Sequence, residues 1–146
     1  MSVIHATCVA IDRAGVLLRG DPGAGKSDLA LRLIDEGAVL VADDYCQIGV
    51  ENGVLIAETP PQIAGKIEVR GYGIVTMPFL SRTAVRLVVD LTASATIPRL
   101  PESTTAKLMD VTVAQAFIDP VSASASARVR TILHDLAGVA GKEKSA

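Results

Sequence analysis

The stretch VLLRGDPGAGKSDLALRLIDEGAVLVADD, residues 16–44, decides the fold. Val16 to Arg19 is a short apolar run of strand type that stops at Gly20, and GDPGAGKS follows over residues 20–27. From Lys26 to Glu36 the apolar residues Leu29, Ala30, Leu33 and Ile34 recur at helical spacing, and Gly37 supplies the left-handed residue that commonly stops a helix. AVLVA, residues 38–42, is then a continuous apolar run of the kind buried on both faces of a sheet, and it ends at Asp43 and Asp44. Strand, helix and strand at this spacing predict a right-handed βαβ unit and an α/β fold.

Gly20, Gly25, Lys26 and Ser27 satisfy the phosphate-loop pattern GxxxxGK[ST], between a strand and a helix as that pattern requires. The glycines let the backbone curl so that successive amides face phosphate oxygens, and the start of the helix adds the positive end of its dipole. The whole loop, Gly20, Asp21, Pro22, Gly23, Ala24, Gly25, Lys26 and Ser27, is therefore expected to bind a nucleoside triphosphate. Lys26 would meet the β and γ phosphates and Ser27 would place its hydroxyl on Mg²⁺. The bland alternative is a glycine-rich turn with an exposed lysine.

Asp43 and Asp44 end a strand at the carboxyl edge of the sheet, where open α/β folds hold ligands. One carboxylate could assist the metal while the other accepts the proton of an attacking hydroxyl. Two acids that merely end the strand and cap a turn are the alternative.

Outward from this core, Val3 to Ile11 reads as a strand, with a turn at Ala14 and Gly15 before the next. Cys46–Val50 and Val54–Ala57 flank Glu51-Asn52-Gly53, a strong hairpin signal, so antiparallel pairing joins the parallel kind. Ile67–Val69 and Ile74–Met77 are short apolar pieces around Arg70-Gly71-Tyr72-Gly73, and Thr83–Leu91 is another buried strand. A mobile loop is expected from Pro98 to Thr105, and a final helix carries Val129, Ile132, Leu133 and Leu136 and stops at Gly138.

With 146 residues, 49% of them apolar and 21% charged, the chain has material for one compact core: a single domain over residues 1–140 and a solvated tail over 141–146. Fourteen basic against sixteen acidic residues, with two Tyr and two Phe, argue against nucleic acid. No apolar run reaches the roughly 18 residues needed to span a bilayer and no leader pattern opens the chain, so no membrane partner and a cytoplasmic location are expected. Cys8 and Cys46 form no CxxC pair and read as buried free thiols.

The run from His5 through GVLLRGDPGAGKSDLALRLIDEGAVLVADD and then KIEVRGYGIV resembles the catalytic domain of HPr kinase/phosphorylase, the bacterial enzyme that phosphorylates a serine of the phosphocarrier protein HPr. The brevity resembles the short single-domain form of alphaproteobacteria. The resemblance implies a phosphate-loop core akin to that of phosphoenolpyruvate carboxykinases, a mixed parallel and antiparallel sheet flanked by helices, and a homo-oligomer, commonly a hexamer. It implies ATP and Mg²⁺ as cofactors and an HPr-type carrier as substrate. Residue by residue, it makes His5 the active-site histidine, Lys26 the catalytic lysine, Asp44 the acceptor of the serine proton, Ser27 and Glu68 the metal ligands, and Arg99 a further active-site arginine. Unaided, His5 would read as an ordinary core or surface histidine, and Glu68 with Arg70 as an exposed ion pair. The arginine- and glycine-containing loop associated with phosphorolysis has no counterpart in FIDPVSASASARVR, residues 117–130, so the kinase reaction is the expected activity, with a bifunctional kinase/phosphorylase as the wider reading. The competing readings are a regulatory ATP-binding module without catalysis, a small-molecule kinase, and a GTPase-like switch, the last without the NKxD motif that reads guanine.

Overall fold

The computed structural model describes residues 1–139; the tail expected over 141–146, and residue 140 of the expected domain, lie outside the described residues. Nine strands form the main sheet: β1 (Ser2–His5), β2 (Thr7–Ile11), β3 (Ala14–Arg19), β4 (Val39–Ala42), β5 (Tyr45–Glu51), β6 (Val54–Glu58), β9 (Arg82–Leu91), β10 (Thr104–Leu108) and β11 (Val111–Ile118). Their order is β1-β5-β6-β9-β3-β2-β4, with β11 alongside β9 and β10 outside β11. β7 (Lys66–Val69) and β8 (Gly73–Thr76) make a separate two-stranded ribbon. The helices are α1 (Lys26–Asp35) and α2 (Ala125–Val139).

β9 is the hub. One edge pairs with β3 in parallel, and the other is shared by β6, antiparallel at residues 82–84, and β11, parallel at 87–91. Both faces of the sheet are covered, which explains the unbroken apolar runs of the central strands. Val16, Leu18, Leu87 and Val89 point to a cluster that also holds Leu29 and Leu33 of α1 and Val129 and Leu133 of α2. Leu17, Val85 and Val88 point the other way, into a cluster made of strand residues and their connections. Period-two alternation on a sheet covered twice leaves few positions polar. Cys8 and Cys46 are buried free thiols in this second cluster, as expected, and contact with Cys46, with burial, pushes the Cys8 thiol well above its ordinary value.

Several boundaries differ from the sequence reading. The expected strand Val3–Ile11 breaks at Ala6, where it changes partners: β1 pairs with β5, and β2 with β3 and β4. The first tight turn is Asp12-Arg13, both at positive φ (50° and 70°), so Ala14 and Gly15 belong to the strand. Met109-Asp110, at φ 50° and 65°, makes the β10–β11 hairpin in the same way, and β10 takes Thr104 and Thr105 from the expected loop. Two-residue hairpin turns need positive φ at both central positions, and without Asn-Gly these two carry little sequence signal. α2 passes through Gly138, where a stop was expected.

The strand–helix–strand unit has one strand more than a simple reading implies. β2 lies between β3 and β4 and is antiparallel to both, so β3 and β4 run the same way two positions apart while α1 packs over β2. The phosphate loop after β3 and the aspartates after β4 therefore emerge at the same edge.

Candidate active site

The loop between β3 and α1 is held at both ends. At its start Arg19 meets Asp90 of β9 through two hydrogen bonds of 2.8 and 3.0 Å, and Gln115 of β11 donates to the same carboxylate at 2.6 Å. A Cβ at Gly20 would stand 2.9 Å from the Ala24 Cβ, too close for any larger residue. At its end Gly25 has φ 103°, a left-handed conformation that suits glycine, and a Cβ there would come 3.2 Å from Pro120. Arg32 of α1 donates to the carbonyls of Pro120 and Ser122, locking the segment before α2 against the loop. Ala24 N donates to the Asp21 carbonyl at 2.9 Å, and no side chain caps the helix start. Lys26 is 5% exposed and its Nζ donates to the carbonyls of Gly20 (2.9 Å) and Asp21 (3.2 Å). An exposed lysine on a glycine-rich turn is thus ruled out.

The two aspartates have parted company. Asp43 points inward: it is buried, and its Oδ1 accepts hydrogen bonds from Ser27 Oγ (2.6 Å) and Thr7 Oγ1 (3.0 Å) while Oδ2 accepts from the Glu68 amide (3.0 Å). Asp44, at φ 69°, turns out into the cleft; its side chain is half-exposed, and Oδ1 stands 3.9 Å from His5 Nδ1. His5 ↔ Tyr45 is the last pair of the β1–β5 ladder, and the His5 ring lies 4.4 Å from the Tyr45 ring. Sheet pairing therefore brings His5, 39 positions away in sequence, to Asp44.

A cleft of about 610 Å³ opens between the phosphate loop and the β7–β8 ribbon. Gly23, Gly25, Lys26 and Ser27 line one side, Asp43, Asp44 and Tyr45 the floor, and Gln62, Lys66, Glu68 and Arg70 the opposite wall. Ile67, fully buried between these wall residues, anchors the ribbon to the α1 face of the core. The ion pair between Glu68 and Arg70, the alternative to a metal-binding Glu68, does not form among the described residues; both residues line the cleft. Arg99 sits in the exposed segment between the short 3₁₀ turn Ser94–Thr96 and β10, and it is not among the residues of the cleft. The structure thus gathers Lys26, Ser27, Asp44, Glu68 and His5 and leaves Arg99 apart.

Ser27, Asp43 and Glu68 offer hard oxygen donors, which suits Mg²⁺, an ion commonly held by one or two carboxylates together with substrate phosphates. Asp43 is the acid joined directly to Ser27, so it has a stronger claim to that role than Glu68, whose contact with Asp43 is through its backbone. Thr7, Lys66 and Gln62 escaped the sequence reading. Thr7 had a faint signal, as the hydroxyl in an otherwise apolar stretch from Ala6 to Ile11. The other two had none, because only the ribbon's packing brings them to the cleft.

A phosphate loop on an α/β sheet, with acids delivered to the same edge by the next strand, defines the class: a nucleotide-binding domain of the phosphate-loop type. The sequence places it further. The chain belongs to the family described as HPr Serine kinase C-terminal domain, whose model matches residues 1–134. It is 44% identical over 77 residues to the HPr kinase/phosphorylase of Clostridium acetobutylicum, a match covering 53% of this chain and 25% of that protein. To the protein of the same name from Geobacillus it is 38% identical over 98 residues, 62% of this chain and 32% of the relative. The chain therefore spans about a quarter to a third of the curated relatives it matches. The solved HPr(Ser) kinase/phosphatase of Coxiella burnetii superposes with a TM-score of 0.87 at 26% identity, covering 97% of this chain and 100% of that one.

Proposed function

We propose that this chain is an ATP- and Mg²⁺-dependent serine kinase acting on an HPr-type phosphocarrier protein in the cytoplasm. One observation carries the reading: a solvent-facing carboxylate, Asp44, opens into the same cleft as Lys26 and Ser27, while its neighbour Asp43 is joined to Ser27. Phosphoryl transfer depends chiefly on positioning and on neutralising charge. The loop amides and Lys26 would cradle the β and γ phosphates, and Ser27 and Asp43, with Glu68 nearby, would hold the metal. Bound there, Mg²⁺ supplies charge neutralisation on the phosphate oxygens.

The acceptor serine would enter from the open side, past Tyr45 and the ribbon. Its oxygen forms a bond to the γ phosphorus as the bond from that phosphorus to the β–γ bridging oxygen breaks; the hydroxyl proton goes to Asp44, and ADP leaves. His5, 3.9 Å from Asp44, is placed to orient that carboxylate. Arg70 lines the cleft and is the better candidate for the cationic role first expected of Arg99.

The kinase direction is favoured over phosphorolysis by the segment before and within α2. Arg128 is taken up by Ser124 and Arg130 by Glu36, and neither lines the cleft. A homo-oligomer, hexameric by family resemblance, completes the reading and is tested by light scattering. The function is tested by incubating the protein with γ-labelled ATP, Mg²⁺ and a folded HPr-type carrier, then locating the label by peptide mass spectrometry. Label on a carrier serine is expected; ATP bound without transfer would favour the regulatory module.

A further inference from the structure

A fully buried hydroxyl sits beneath both acids, in a core that has few polar groups. Thr7 is 0% exposed and is the first residue of β2, just after Ala6, where the chain leaves β5 and its amide donates to the Asp44 carbonyl at 3.1 Å. Its Oγ1 donates to Asp43 Oδ1 at 3.0 Å and accepts from the Asp44 backbone amide at 3.0 Å. A threonine hydroxyl has one proton and two lone pairs, so one group serves as donor to one acid and acceptor for the other.

We infer that Thr7 is a positioning residue for phosphoryl transfer: its one hydroxyl aims the Asp43 carboxylate at Ser27 and, through the Asp44 amide, sets the direction of the Asp44 side chain. The inference rests on the kinase reading of the cleft and goes beyond it, because Thr7 is fully buried and does not line the cleft. Two features bear on this role. Asp43 Oδ1 accepts from Ser27 and Oδ2 from the Glu68 amide, and Thr7 is the third donor on a carboxylate whose last torsion is broad when free, so its loss leaves Oδ1 held by Ser27 alone. Asp44 adopts φ 69°, a left-handed conformation that aspartate tolerates better than most residues, and two hydrogen bonds hold it there. The Ala6 amide on the Asp44 carbonyl and the Thr7 hydroxyl on the Asp44 amide hold that residue from both sides. A threonine fits a β-strand start as well as valine does, so shape and strand preference do not explain the hydroxyl.

Thr7→Val keeps the branched shape and removes the oxygen; Thr7→Ser keeps the oxygen. Loss of a hydrogen bond to a charged group corresponds to roughly 10- to 100-fold, so Thr7→Val should lower kcat by about that factor while the KM for ATP changes by less than about 3-fold. Thr7→Ser should recover most of kcat. Independently of transfer, the Mg²⁺ concentration that half-saturates ATP binding should rise about 10-fold in Thr7→Val and stay near wild type in Thr7→Ser. Equal kcat and equal Mg²⁺ dependence in the Val and wild-type proteins overturn the inference. Equal losses in the Val and Ser variants do so too, since a purely packing role makes no distinction by hydroxyl. Should wild type bind Mg²⁺ATP but phosphorylate no carrier, the kinase reading falls while the Mg²⁺ titration still decides the role of Thr7. If Thr7→Val does not fold, Thr7→Ala takes its place in both measurements and is compared with Thr7→Ser, from which it differs only by the hydroxyl: a loss in Ala that Ser does not share supports the inference, and equal values in Ala and Ser overturn it.

Discussion

Replacing Asp43 by Asn tests the inner half of the site. The carboxylate is buried and accepts from Ser27 Oγ at 2.6 Å, Thr7 Oγ1 at 3.0 Å and the Glu68 amide at 3.0 Å. An asparagine of the same shape must keep its oxygen on the Glu68 amide, because an NH₂ group there would face another donor. Its NH₂ then faces the two hydroxyls, which can rotate and accept. Three charge-assisted bonds become neutral, each weaker by about 1 kcal/mol, and the proton of the fully buried Thr7 hydroxyl, which also accepts from the Asp44 amide, loses its acceptor. Relief of the cost of burying a charge opposes this loss, so folding stability should fall by about 1–4 kcal/mol. The reaction should suffer more: an amide is a weaker ligand than a carboxylate for the Mg²⁺ that would neutralise the phosphate oxygens, and we expect a loss of about 100-fold or more. Urea unfolding beside phosphoryl-transfer rates across a Mg²⁺ titration separates the effects. A folded Asp43→Asn protein that transfers at the wild-type rate with an unchanged Mg²⁺ requirement would show that Asp43 has no part in holding the metal.

Gly25→Ala forces a side chain into φ 103° and against Pro120 at 3.2 Å, so we expect a loss of about 1–3 kcal/mol in urea unfolding and weaker ATP binding; an unchanged protein would contradict the loop's packing. The Ser126 hydroxyl and then Arg130 hold the Glu36 carboxyl below its ordinary 4.5, so the stabilisation is present above that pH and is lost as pH falls through the lower folded value. The stability gap between wild type and Glu36→Gln should therefore shrink below pH 4.5, and a gap constant from pH 7 to about pH 3 would show the clamp from α2 to α1 to be idle.

The parts of the fold legible in the sequence are those where short-range pattern and local chemistry coincide. The loop from Gly20 to Ser27, the helix after it and the apolar run ending at Asp43 each announce themselves within about ten residues, as does the Asn52-Gly53 hairpin. What stayed hidden depends on pairing between distant strands. The change of partners at Ala6 cannot be seen in Val3–Ile11, yet it brings His5 beside Asp44 and Thr7 beneath both acids. Adjacent acids look equivalent in a sequence; here Asp43 is held inward by Ser27, Thr7 and the Glu68 amide while Asp44, at φ 69°, faces the cleft. The family resemblance supplied His5 and Glu68 where residue patterns alone would have passed over them. Arg99 rested on resemblance alone, and no element carries it to the cleft.

The most direct measurement is a single-turnover experiment with γ-labelled ATP, Mg²⁺ and a folded HPr-type carrier, run on wild type and on Asp44→Asn with ATP affinity measured in parallel. We expect label on one carrier serine in wild type, with the variant slowed by about 100-fold or more at nearly unchanged ATP affinity. Equal rates in the two proteins, or no serine label from a wild-type protein saturated with Mg²⁺ATP, would contradict this expectation.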